Sequence, residues 1–87
     1  CIFAEELKAL VRVYLGQLSL ERARNALTRA EIARVQGRQR VMITMANQAL
    51  KDVEGASQVE AFRGEAQKIH EVASGLILSR TGEVSLG

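Results

Sequence analysis

Residues 27–41 read LTRAEIARVQGRQRV, and the fold turns on how this stretch is parsed. As one straight helix it would carry the stripe Leu20, Ala23, Leu27, Ala30 on into Arg34, a charge in the middle of an apolar face. Past Gly37 the apolar residues resume on a face rotated by roughly 100°, one residue's turn of an α-helix. A phase slip of this kind marks a change of direction, and Gly37 is its natural pivot. The same stretch has half the features of a DNA-binding helix-turn-helix. Ile32, Ala33, Gly37, Ile43 and Ala46 fit that spacing. The residues flanking the glycine, Gln36 and Arg38, are polar where the motif needs apolar plugs, and burying them unpaired would cost ~1–3 kcal/mol each.

Working outward, the remaining periodicity is helical throughout. Phe3, Leu7, Leu10, Tyr14 and Leu18 recur at three- and four-residue spacings, one face of a helix over residues 2–18. Gly16 weakens its end, and Ser19 is a suitable N-cap for a second helix over 20–36, with the small residues Ala26, Ala33 and Gly37 beside its main stripe. A third helix over 39–54 holds Val41, Met42, Ile43, Met45, Ala46, Ala49, Leu50 and Val53. These cover an arc near 200°, wider than the ~100° stripe of a one-sided helix, which places it centrally. Gly55 is a plausible stop. Ser57 and Glu60 have capping-box spacing and predict a fourth helix over 57–79, with Val59, Phe62, Ala66, Ile69, Ala73 and Leu76 in line. The expected architecture is all-α: a three- or four-helix bundle or an extended helical hairpin, one domain or fragment over residues 1–87, with a flexible tail from about residue 80.

Composition agrees. The chain has 87 residues, no proline, three aromatics (Phe3, Tyr14, Phe62) and an excess of strong helix formers. The longest apolar run is four residues, 1–4, far from the ~20 of a membrane span. One cysteine allows no internal disulfide, so a core this small would gain most from oligomerisation. The chain opens on Cys1 rather than Met, as a piece cut from something longer would. A processed, lipid-anchored periplasmic subunit would also begin so, although Ile2 and Phe3 stand where a polar tether is usual. The compartment is left open by these features.

Charge is unevenly spread. Residues 12–40 hold Arg12, Arg22, Arg24, Arg29, Arg34, Arg38 and Arg40 against Glu21 and Glu31, a local +5, while residues 41–87 carry −2. Such asymmetry suits phosphate binding. It equally suits a solvated face or an acidic protein partner, because arginine pairs bidentately with carboxylates as well as phosphates. Chemistry-bearing groups are few. His70 stands beside Glu71 with only a short stretch following it, and no nucleophile–base set, phosphate loop or metal-ligand spacing is present. Met42 and Met45 read as core filler. The sequence therefore points to a non-enzymatic assembly or protein-interaction module without cofactors, a subunit of a larger oligomer or complex. The expected contact residues are Val41, Met42, Ile43, Leu50, Arg34, Arg38 and Arg40, with self-association or a protein partner favoured. The alternative is a small helical nucleic-acid-binding regulator using residues 12–40.

Overall fold

The computed structural model describes the backbone of residues 2–86 and the side chains of residues 3–78. Within these bounds the chain is three α-helices: α1 Ile2–Val35, α2 Gln39–Ala56 and α3 Glu60–Leu86. The all-α expectation of three or four helices is met with three, and the helix bounds differ. Residues 2–18 and 20–36 are not two helices but one. Gly16 costs such a helix only ~1 kcal/mol against alanine and Ser19 less. Without a proline nothing here forces a break. Both small residues serve packing instead. A Cβ on Gly16 would lie 2.5 Å from Val59 Cγ2, and one on Gly55 would lie 2.6 Å from Ser19 Oγ. The turn after α2 and the end of α2 thus press on α1 where its side chains are smallest.

The reversal at Gly37 is as the phase slip predicts. Gly37 has φ +75°, the one positive φ among the described residues. The Arg38 amide donates to the Ala33 carbonyl at 2.8 Å and the Gly37 amide to that of Arg34 at 3.1 Å. These are the paired bonds of a Schellman cap, which satisfies the last carbonyls of α1. The second connection differs from expectation. Gly55 does not stop α2, which continues to Ala56, and Ser57 does not open α3. The Ser57 hydroxyl donates back to the Val53 carbonyl at 2.7 Å and its amide to the same oxygen at 2.8 Å. Ser57 therefore caps the end of α2, and α3 starts only at Glu60. α3 also runs helical to Leu86, through the segment expected to be a tail.

Packing is up-down-up. α2 lies against both α1 and α3, and α1 against α3, so the wide apolar arc of α2 is covered on both sides within the chain. The core is Leu20, Ala23, Ala26, Ala30 and Ala33 from α1, Met42, Ala46, Ala49, Val53 and Ala56 from α2, and Ala66, Ile69, Ala73 and Leu76 from α3, with Val59 buried in the turn. Nine of these fifteen are alanine, recurring at three- and four-residue steps. Alanine seams let helix backbones approach closely, and the result is a thin rod, 61 Å long and 19 by 13 Å across. No buried side chain among the described residues is polar or charged. Leu27, which the sequence places on the main stripe, only flanks this seam, and Ala26 and Ala33 sit in it.

Candidate interaction surface

The contact residues expected from sequence separate into two groups that do not form one surface. Met42 is buried, and Ile43 and Leu50 pack against the core, so these three are occupied inside the chain. Their expected availability rested on the breadth of the α2 arc, which two helices of the same chain in fact share. Val41 is exposed beside the first turn of α2. Arg34, Arg38 and Arg40 are exposed around the α1–α2 reversal, together with Ile32 and the 88% exposed Val35.

The other arginines of the basic segment point to different sides. Arg24 forms an ion pair with Glu65 of α3. Arg22 and Arg29 border a shallow hollow closed on the α2 side by Gln48 and Asp52. Arg12 lies further out on α1, at another hollow beside Gly55 and Gln58. The +5 segment is thus divided among faces, partly against acidic groups of the same chain. The half-motif at 27–41 also lacks helix-turn-helix geometry. Ser19 of α1 meets Gly55 of α2 at one end and Ala33 is bonded to Arg38 at the other, so the two helices run side by side as an antiparallel hairpin rather than crossing.

His70 is exposed and borders an open hollow between α2 and α3 with Glu54, Gln58 and Glu71. No group of metal-ligand side chains comes together among the described residues. No helix there is long and apolar enough to cross a membrane. Cys1, on which the lipid-anchor alternative depends, lies outside the described residues.

The prominent surface feature lies at the start of α1. The first part of α1, residues 3–15, projects beyond the other two helices, and every one of its side chains is exposed. Phe3 is 73% exposed, Leu7 50%, Leu10 67% and Tyr14 61%, and Val11, Val13 and Leu15 are open as well. The projection follows from lengths. At 1.5 Å per residue α1 is about 51 Å long and α2 about 27 Å. The apolar side chains of this arm do not continue the bundle seam. On a continuous helix the direction of Phe3, Leu7, Leu10 and Tyr14 lies about 140–190° from that of Leu20, Ala23, Ala26, Ala30 and Ala33, for 3.5–3.6 residues per turn. The arm therefore turns its apolar stripe away from the side on which α2 and α3 pack. That phase change between residues 14 and 20 is present in the sequence. Set against family models, curated proteins and solved structures, the chain matches none.

Proposed function

We propose that this chain is a non-enzymatic helical interaction module, in which the three-helix rod supports α1 and its projecting arm pairs with a helix of another polypeptide chain. The observation carrying this reading is the out-of-phase stripe. Two aliphatic side chains, Leu7 and Leu10, and two aromatic ones, Phe3 and Tyr14, would each gain ~1.5–3 kcal/mol from full burial, yet they stand on the face opposite the chain's own seam. A contiguous exposed apolar surface of this size marks a site of association. The rod contributes rigidity and a nucleated helix from which the arm extends. A free helix as short as the arm would be barely stable in water.

The reading is tested by heat. Leu7→Ser with Leu10→Ser should leave the melting temperature of the dilute chain within about 4 °C of the parent, since surface changes usually fall within ±0.5 kcal/mol and each kcal/mol is worth about 4–8 °C. A drop of the size that core truncation produces would mean that the arm packs on its own bundle, and the interaction reading would fall.

A further inference from the structure

We infer that the occupant of the arm is the same arm of a second copy, laid antiparallel about a two-fold axis. This inference rests on the interaction reading above and names its partner. The spacing of Phe3, Leu7, Leu10 and Tyr14 is four, three, four, which reads identically in both directions. With the axis between Lys8 and Ala9, Phe3 of one copy lies level with Tyr14 of the other, and Leu7 with Leu10. All four side chains find an apolar counterpart and none is left over, as an isologous contact requires. In heptad terms Leu7 and Tyr14 occupy one seam position and Phe3 and Leu10 the other.

Opposed helix dipoles favour this direction over the parallel one. The rods do not interfere: α2 and α3 lie on the far side of α1 from the stripe, and the overlap ends where the bundle begins at Gly16. The area is sufficient for a modest complex. With aromatic residues presenting ~150–250 Å² each and the exposures given above, two stripes remove about 1,000 Å² from water, the lower bound of a specific interface. The dimer is therefore concentration-dependent, and the flanking Val11 and Val13 add to its edge.

The experiment uses the 87-residue chain. Sedimentation velocity from low-micromolar to millimolar concentration should show a shift from monomer to dimer, and Leu7→Ser with Leu10→Ser should hold the chain monomeric throughout. In a Cys1→Ser background, an oxidised mixture of Leu7→Cys and Leu10→Cys chains should yield mainly the mixed disulfide. Mainly homodisulfides would replace the antiparallel arrangement by a parallel one. A dimer that persists in the double serine variant would move the contact away from the arm. A monomer at every concentration would remove the second copy as partner. The heat test would then decide separately whether the arm is an interaction element at all.

Discussion

Two glycines on the helices, Gly55 and Gly64, should respond to the same substitution with opposite signs. Gly64 lies on the exposed side of α3, and a Cβ there meets nothing within 4 Å. Gly64→Ala should therefore realise the helix-propensity gain alone, ~0.8–1 kcal/mol. That corresponds to a rise of about 4–8 °C per kcal/mol for a domain of this size. Gly55 has the same intrinsic gain to collect, but its Cβ would fall 2.6 Å from Ser19 Oγ and 3.1 Å from Ser19 Cβ. The hydroxyl can rotate aside, but the Cβ is fixed to the α1 backbone, so the helices must separate there. Overpacking of this kind costs ~1–3 kcal/mol, which offsets the propensity gain and leaves a net loss of up to about 2 kcal/mol. In a Ser19→Gly background both close atoms are gone, and Gly55→Ala should become stabilising. Thermal unfolding by circular dichroism of the four members of that cycle, with Gly64→Ala as control, measures the coupling. If Gly55→Ala raised the melting temperature as much as Gly64→Ala, α1 and α2 would not approach at Ser19 as described.

Two further substitutions probe the rod. Met42 is 4% exposed at the start of α2, so Met42→Ala should cost ~2–5 kcal/mol in denaturant unfolding, and a loss below 1 kcal/mol would contradict its burial. Gly37 has open space around its Cβ position but a left-handed backbone, so Gly37→Ala should lose about 1–2 kcal/mol from the backbone alone, with Gly37→Asn losing less.

Much of this fold is legible in the residues, and the part that is not fails for a definite reason. The reversal at Gly37 could be read because an apolar stripe changes phase beside a residue that tolerates positive φ. The seam of α3 could be read because Ala66, Ile69, Ala73 and Leu76 keep strict spacing. Residues 16–20 mislead, because Gly16 and Ser19 suit a helix end and the cap of the next helix. There a slip also occurs, flanked by glycine and serine, yet the helix continues. A phase slip reports a change of partner, and a change of partner is met either by turning the chain or by facing a different neighbour. Local residues distinguish the two outcomes weakly, because Gly16 and Ser19 suit a cap and a close helix approach alike. Ser57 shows the same ambiguity: its spacing to Glu60 fits an N-cap, whereas its hydroxyl closes the preceding helix. Met42, Ile43 and Leu50 lie against the chain's own core for a related reason. The breadth of the α2 arc correctly implies two neighbours, but says nothing about whether the second belongs to the same chain.

The two stripes of α1 also explain how one helix can hold a fold together without committing its whole surface to it. The seam is built largely of alanine, which contributes close contact but little area, so the rod needs nearly all of α2 and the facing half of α3 to cover a short length of α1. The large side chains of α1 are not in that seam. Phe3, Leu7, Leu10 and Tyr14 are on the arm, and among the buried residues of α1 only Leu20 is of comparable size. Stabilising the rod and presenting an apolar stripe thus draw on different residues of one continuous helix. On the proposed reading, changes on the arm should alter association while the seam keeps the register of the bundle, and changes in the seam should unfold the support on which the arm depends. Association and folding should then be separable by mutation in one direction only: the arm can be silenced in a folded chain, but loosening the rod removes the nucleus from which the arm extends.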